Sequence, residues 1–166
     1  KNQGWKVNFY NTICKTTGDI IFCSDQDDIW YKFKIKEMVE LINDNSNIYM
    51  LAGRYTLVDS QNNEIINRRG RYSNQILKEA FDEKFHITKL PGCSLCFKKE
   101  IIPYMKSLFY DEYPHDKMIW NIALLFEKAY IYDKETFRYR RHSQSEMAKE
   151  KKKNERIKTL IVQRSI

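Results

Sequence analysis

The sequence of 166 residues contains no long apolar run and no low-complexity stretch. Since no run approaches about 18 apolar residues, no membrane-spanning helix is predicted. The sequence shows no charged start followed by an apolar stretch and a small-residue cleavage site, so no secretion signal is predicted. The hydrophobic content of 42% is ordinary for a globular fold. We therefore expect a cytoplasmic protein that buries a substantial core.

Cysteine is scarce, which limits the metal sites that the sequence can build. The four cysteines, Cys14, Cys23, Cys93 and Cys96, fit a reducing compartment. Cys93 and Cys96 form a C-x-x-C, but Cys14 and Cys23 lie some 70 residues upstream and at a different spacing. We expect Cys93 and Cys96 to be small packed side chains on a strand, and no structural zinc.

Excess positive charge is missing from most of the chain. Residues 1–137 hold 19 basic and 19 acidic side chains, whereas residues 138–166 hold 10 basic and 3 acidic ones. The end, 146–166, is predicted to be a basic amphipathic helix, either with a solvated charged face or resting on an anionic membrane surface. Nucleic acid is not expected as a partner, because no motif interleaves aromatic residues with the lysines.

The order of apolar patterns indicates an α/β protein. Residues 5–16 have helical spacing, and "DIIFCS" (19–24) is a continuous apolar strand that suggests burial on both faces. Residues 32–44 then read as an amphipathic helix. A helix, strand, loop and helix in this order are typical of an α/β fold.

The rest of the chain is predicted as strands and helices. Residues 48–67 read as two strands broken near Gly53, and residues 73–84 as a weak helix. Residues 114–129 are predicted to form a buried helix that Asp116 caps. Residues 129–142 read as two short strands.

Three carboxylates follow the apolar strand in "IIFCSDQDDIW". Asp25 and Asp27 are two positions apart and would point the same way in an extended backbone, so both could reach one cation. Ligands of open α/β sheets lie outside the carboxyl ends of strands, and two hard oxygen donors suit Mg²⁺ or Mn²⁺. Asp28 is predicted to cap the following helix instead. Trp30 could stack on a sugar ring or pack in the core.

One rival chemistry begins with the same pattern. In haloacid-dehalogenase-like phosphatases, an apolar strand runs into D-x-D and the first Asp is the nucleophile. That family also has a later Gly-Asp motif, whereas here Gly18-Asp19 lies upstream of the acids. We therefore place this alternative well behind.

Three motifs resemble one enzyme family. "NQGWKVNFYNTICKTTGDIIFCSDQDDIW" is similar to the middle of a family 2 glycosyltransferase of the GT-A type, with Asn2, Gly4 and Asn8 and then Gly18 and Asp19 at motif positions. "PHDKMIWNIALLFEKA" resembles the family's His-Asp helix, and "FRYRRHSQS" its Tyr-Arg-x-His segment. The "SDQDDIW" form is similar to the rhamnosyltransferase-like members that build bacterial surface polysaccharides.

The resemblance implies a metal-dependent inverting transferase. Asp25 and Asp27 would hold the cation against the diphosphate of a nucleotide-sugar, with His142 as a further ligand, which would favour Mn²⁺ over Mg²⁺. Asp116 would be the general base for the acceptor hydroxyl of a glycan or a lipid-linked acceptor. Arg140 would help to neutralise the departing diphosphate. Rhamnose is one candidate sugar.

The resemblance also implies a GT-A fold, Rossmann-like, with a mixed sheet and flanking helices. Residues 1–145 would be its catalytic and acceptor-side part. The strand, helix and strand that normally bind the nucleotide do not precede Lys1, so we expect about 60 to 80 residues to be absent. The alternative is a non-catalytic remnant of such an enzyme, for which a homodimer that completes an open sheet edge is plausible. Membrane contact would then be peripheral, through 146–166.

Overall fold

A computed structural model describes residues 3–65, 72–81 and 88–141. Its helices are α1 (Trp5–Ile13), α2 (Lys34–Asp44), α3 (Ile102–Ser107) and α4 (His115–Leu125). Its strands are β1 (Ile20–Phe22), β2 (Ile29–Trp30), β3 (Met50–Val58), β4 (Ile76–Lys78), β5 (Leu95–Lys98) and β6 (Ala129–Arg140). The predicted helix at 146–166, and the division of the chain before it, lie outside the described residues.

The strands form one mixed sheet in the order β1-β5-β3-β6-β2, with β4 also paired to β6. β3 and β6 are parallel, and the other pairs are antiparallel. Since β5 is antiparallel to both β1 and β3, the strands β1, β3 and β6 run in one direction. Their carboxyl ends therefore meet at the same edge of the sheet.

Apolar side chains cover both faces of this sheet. In β3, Met50 and Ala52 belong to the core beneath α3 and α4, whereas Leu51 faces the core beneath α2. This period of two is what a strand requires when it is buried on both faces. The prediction of an α/β layer architecture is thereby confirmed, and α4 is buried along almost all of its length, as its composition predicted.

The predicted strand breaks are wrong. β3 runs through Gly53 without ending, and its register against β6 shifts on either side of Arg54. A Cβ at Gly53 would lie 2.2 Å from Thr136 Oγ1, so the glycine admits a neighbouring side chain and does not end the strand. β6 is likewise one strand of 12 residues, and the segment predicted as a weak helix contains β4.

Within the part of the chain that the structure describes, every helix is too short or too polar to cross a bilayer.

Candidate active site

The acid loop, residues 23–28, leaves the sheet at the carboxyl end of β1. The Cys23 N–H donates to Leu95 O at 3.1 Å, which extends the pairing of β1 with β5 by one residue. Residues 26 and 27 then form a turn. The prediction that an extended backbone aligns Asp25 with Asp27 is therefore wrong in its geometry, because the turn rotates the chain between them.

Asp28 turns inward from this loop. Its Oδ1 accepts a hydrogen bond from the Arg140 N–H at 3.2 Å, and its Oδ2 is buried without a hydrogen-bond partner. The expectation that Asp28 caps the next helix is wrong, because α2 begins at Lys34 and has Phe33 at its N-cap with no side-chain cap. An ionised oxygen buried without a partner costs free energy, so this position calls for a cation or a donor.

Arg140 ties the acid loop to β6 and to the loop that follows β3. Its Nε donates to Asp27 O at 3.0 Å and its Nη1 to Ser60 O at 2.9 Å. Two guanidinium nitrogens are thus bound to main-chain carbonyls. Arg140 therefore lies beside the acids, and its contacts in the structure are those of a residue that holds the loop.

Cys93 completes a cluster with two of the acids. It lies in the glycine turn, Gly92–Ser94, which precedes β5. One ligand atom each from Asp25, Asp28 and Cys93 lies within 4.8 Å of the others. Cys93 is 3% exposed, whereas Asp25 lies at the exposed lip of the loop. The cluster therefore joins a buried thiol and the buried Oδ2 of Asp28 to one exposed carboxylate, Asp25.

The carboxylates of the acid loop repel one another. Desolvation raises the pKa of Asp25, although the residue is exposed, and the charges of Asp28 and Asp27 raise it further. Desolvation also raises the pKa of Asp28. Mutual repulsion and the unpartnered Asp28 Oδ2 are the conditions that a bound divalent cation relieves. The residues present therefore fit a divalent metal ion.

Asp116 reaches this cluster from the first turn of α4. Its Oδ1 accepts a hydrogen bond from the Lys117 N–H at 2.9 Å. The expectation that Asp116 is the N-cap is wrong, since Pro114 holds that position and makes no side-chain cap. The charge of Asp116 contributes to the raised pKa values of Cys23 and Asp25, so the structure brings the predicted base within electrostatic reach of the predicted metal ligands.

Gly92 allows α4 to approach the acid loop. A Cβ at this position would lie 3.0 Å from Asp116 Cβ and 3.2 Å from His115 Nε2. Gly92 therefore gives room to His115 and Asp116 at the start of α4.

His115 is buried against aromatic rings. Its ring stacks on Phe9 with centroids 4.0 Å apart, and it meets Trp5 edge to face. Both ring nitrogens are buried without a hydrogen-bond partner, and burial lowers the pKa of the imidazole. His115 is therefore a neutral packing residue beside Asp116.

Lys34 is the site residue that sequence reasoning missed. It is fully buried at the start of α2, where its Nζ donates to Cys93 O at 3.0 Å. The ammonium lies 4.0 Å from the centroid of Trp30 and 4.4 Å from that of Phe137. A signal existed, because Lys34 precedes the buried Met38 by four residues and so shares its helix face. Trp30 thus packs beneath a cation, and Lys34 anchors the glycine turn.

Burial lowers the pKa of Lys34 from 10.5 to about 8, which predicts a specific pH dependence of stability. Between these values the unfolded chain holds a proton that the native chain has released, so stability rises with pH. The free energy of unfolding of the wild type, minus that of Lys34→Met, is expected to increase on the order of 3 kcal/mol from pH 8 to 10.5. Urea melts at a series of pH values measure it.

Lys134→Met is a matched control with the opposite sign. Lys134 also lies over an aromatic ring, 4.1 Å from the Phe33 centroid, but its side chain is 29% exposed and its pKa is raised by the hydrogen bond to Glu37. The free energy of unfolding of the wild type, minus that of Lys134→Met, is expected to stay level from pH 8 to 10 and to fall above pH 10. Parallel curves for the wild type and Lys34→Met would contradict a lowered pKa.

His142, the other predicted metal ligand, lies outside the described residues. The structure thus brings Arg140 against the acid loop that carries Asp25 and Asp27, and it places Asp116 within electrostatic reach of Asp25. Cys93 and Lys34 join this group without having been expected there.

Comparison with known proteins gives one family and one related enzyme. The family model "Glycosyl transferase family 2" matches residues 1–102, more than half of the chain. The chain is 30% identical to the dTDP-rhamnosyl transferase RfbG of Shigella flexneri, over 89% of this chain and 52% of that protein. The chain therefore spans about half the length of the curated relative.

Solved structures share the fold. S. aureus TarS 1-349 in complex with UDP matches with a TM-score of 0.58 and 13% identity, over 86% of this chain and 42% of that one. The same protein in complex with UDP-GlcNAc matches with a TM-score of 0.56 and 11% identity, over 84% and 39%. The predicted GT-A fold, a mixed sheet with flanking helices, is confirmed.

Proposed function

Because the chain belongs to glycosyl transferase family 2, we propose that it carries the cation-binding and acceptor-side part of a metal-dependent, inverting glycosyltransferase. One observation carries the proposal. The acid loop, with its unpartnered buried oxygen on Asp28, lies within electrostatic reach of Asp116 in the first turn of α4. A cation site and a carboxylate base near one another are what sugar transfer from a nucleotide donor requires.

In this proposal Asp25 and Asp27 hold Mn²⁺ or Mg²⁺, with His142 as a further ligand. When bound, the ion supplies Lewis-acid stabilisation to the diphosphate leaving group. Arg140 keeps the acid loop in place through the Asp27 carbonyl, and its charge lies close to the departing diphosphate. Asp28, which the Arg140 N–H holds, adds negative charge beside the ion.

Asp116 acts as the general base. Its carboxylate accepts the proton of the acceptor hydroxyl as that oxygen attacks the anomeric carbon. The new carbon–oxygen bond forms as the bond to the diphosphate oxygen breaks, and configuration inverts because attack comes from the opposite face. The hydrogen bond from Lys117 N–H fixes one carboxylate oxygen and leaves the other for the substrate.

The donor is a nucleoside diphosphate sugar. The printed names of the related proteins include dTDP-rhamnosyl transfer and complexes with UDP and UDP-GlcNAc, so dTDP-rhamnose is the first donor to test and UDP-GlcNAc the second. The acceptor is a growing surface glycan or its lipid-linked precursor. We place the protein in the cytoplasm, with peripheral contact of the basic segment 146–166 to the inner membrane face and a homodimer as the candidate assembly.

Removal of metal is the direct test of this function. Purified protein, incubated with dTDP-rhamnose and lipid-linked acceptors from membrane extracts, is expected to release dTDP and extend the acceptor. Excess EDTA should abolish the transfer, and Mn²⁺ should restore it more fully than Mg²⁺. Mass spectrometry of the acceptor and chromatography of the nucleotide measure both products.

Two outcomes would contradict the proposal. Transfer that continues at full rate in EDTA would remove the metal from the mechanism. A protein that binds neither dTDP nor UDP in calorimetry, with or without Mn²⁺, and transfers no sugar would be the non-catalytic remnant.

A further inference from the structure

The cluster of Asp25, Asp28 and Cys93 has a chemistry that a site for Mg²⁺ does not need. Two of its ligand atoms are hard carboxylate oxygens, and the third is a soft sulfur. The three lie within 4.8 Å of one another and come from two segments of the chain, the acid loop and the glycine turn. Folding has thus placed a thiol where oxygen donors alone would serve a hard cation.

We propose that Asp25, Asp28 and Cys93 form a binding site for a thiophilic divalent cation of the zinc type, and that this cation competes with Mn²⁺ or Mg²⁺ for Asp25. The inference stands on the geometry of the three ligands and does not require that the protein transfer sugar. It differs from the C-x-x-C zinc site weighed from the sequence, because Cys96 takes no part in it.

The distances suit such an ion. Bonds of about 2.3 Å to sulfur and about 2.0 to 2.2 Å to oxygen place the ligand atoms of a tetrahedral zinc roughly 3.5 Å apart. The ligand atoms in the structure are within 4.8 Å, so a shift of about 1 Å in the acid loop closes the site. Asp25 lies at the exposed lip, which gives the ion a path from solvent and leaves a fourth position open to water.

The Arg140 N–H holds one oxygen of Asp28, Oδ1, and leaves the other for a metal. Asp28 Oδ2 is buried and accepts no hydrogen bond. The Cys96 thiol, by contrast, lies 3.6 Å from Leu51 O and packs in the core beneath α2. Only one of the two C-x-x-C sulfurs therefore faces the carboxylates.

Proton balance is simple in this site. Burial and the charge of Asp28 raise the pKa of the Cys93 thiol far above its usual range, so the metal-free thiol is protonated. As the sulfur–metal bond forms, the thiol proton leaves to solvent. The two positive charges of the metal ion then balance the thiolate and the carboxylates. The Lys34 ammonium, bonded to the Cys93 carbonyl, also favours the thiolate.

Titration with Co²⁺ tests the site, because a thiolate ligand gives Co²⁺ a near-ultraviolet charge-transfer band that carboxylates do not. The untagged, fully reduced wild type is expected to develop the band at one equivalent, and Zn²⁺ should bleach it. Cys93→Ser is expected to lose the band and to weaken Zn²⁺ binding at least about tenfold, since even outer-shell substitutions cost that much.

Matched controls separate this site from general thiol effects. Cys96→Ser changes the neighbouring buried thiol and Cys14→Ser a half-buried one, and both should keep the band. Asp28→Asn retains the thiol and should weaken Co²⁺ binding, which keeps the test valid should Cys93→Ser fold poorly. Wild-type protein without the band, or a Cys93→Ser protein that retains it, would overturn the proposal.

Competition is the second readout. The electron paramagnetic resonance signal of free Mn²⁺ should increase when Zn²⁺ is added to the Mn²⁺-loaded wild type, because both ions need Asp25. The ratio of Zn²⁺ to Mn²⁺ affinity should fall in Cys93→Ser. Zn²⁺ that binds without releasing Mn²⁺ would contradict a shared ligand. Zn²⁺ binding without Mn²⁺ release would leave the transferase proposal standing. Conversely, a protein that transfers no sugar could still show the cobalt band.

Discussion

Asp116→Asn is expected to lower kcat for sugar transfer by about 10² to 10⁴-fold, the range for loss of a general base. The amide cannot accept the proton of the acceptor hydroxyl. It can still accept the Lys117 N–H through its oxygen, and it has the volume of the carboxylate that packs against Gly92. The first turn of α4 should therefore keep its shape. Single-turnover rates and calorimetric donor affinity measure the two effects separately.

Donor affinity should remain within about twofold of the wild type, since a general base acts only in the chemical step. Asp111→Asn is the matched control, because Asp111 is an exposed acid in the loop before α4. It is expected to leave kcat unchanged. Equal losses of kcat and donor affinity in Asp116→Asn would argue that the residue binds the donor and is not a base.

Asp25→Asn and Asp27→Asn are each expected to reduce metal-dependent transfer by at least about 10³-fold, because stabilisation of the leaving group by the ion is worth several kcal/mol. Folding should not suffer. Removal of a charge relieves the repulsion that raises the pKa of Asp25, and Arg140 holds residue 27 through its main-chain oxygen. Thermal melting temperatures without metal are therefore expected to stay level or rise.

Mn²⁺ binding and transfer should fall together in these variants. Asp44→Asn, at the exposed end of α2, removes one negative charge away from the acid loop and should change neither. A variant Asp27→Asn that retains Mn²⁺-dependent transfer would end the assignment of Asp27 as a ligand, while Asp25→Asn would still test the other half of the pair.

Local pattern was sufficient for the elements whose apolar residues repeat regularly. α4 was predicted from its nearly continuous apolar run and is buried over that run. β1 was predicted from "IIF" and lies in the sheet. For these segments the helix or strand period and the requirement to bury apolar area lead to the same structure.

Partners far apart in the chain explain most of the wrong predictions. Asp28 was assigned to a cap a few residues away, but it bonds to Arg140, 112 residues later. Gly53 was expected to break a strand, yet Thr136 fills the space where its side chain would be. β4 has a weak helical pattern, and pairing with β6 overrides it. A single sequence carries no signal for such contacts.

The acid loop shows the same division between local and long-range information. Its carboxylates and its place after a buried strand were clear from the residues alone. The turn at 26 and 27 was not, and the approach of Cys93 and Lys34 depends on the glycine turn and on α2. The residue types of the loop are thus evident from the sequence, whereas the side chains that lie closest to them in space are not.

The parallel pairing of β3 with β6 also has a consequence for folding kinetics. Met50 pairs with Ala129, so this central contact closes a loop of about 80 residues. The chain loses the conformational entropy of that loop before the contacts between the two strands stabilise it. Arg140, which holds the acid loop, lies at the end of β6. The acid loop can reach its native shape only after β6 has docked. Site assembly should therefore coincide with the slowest step of folding, and partly folded chains should bind no metal.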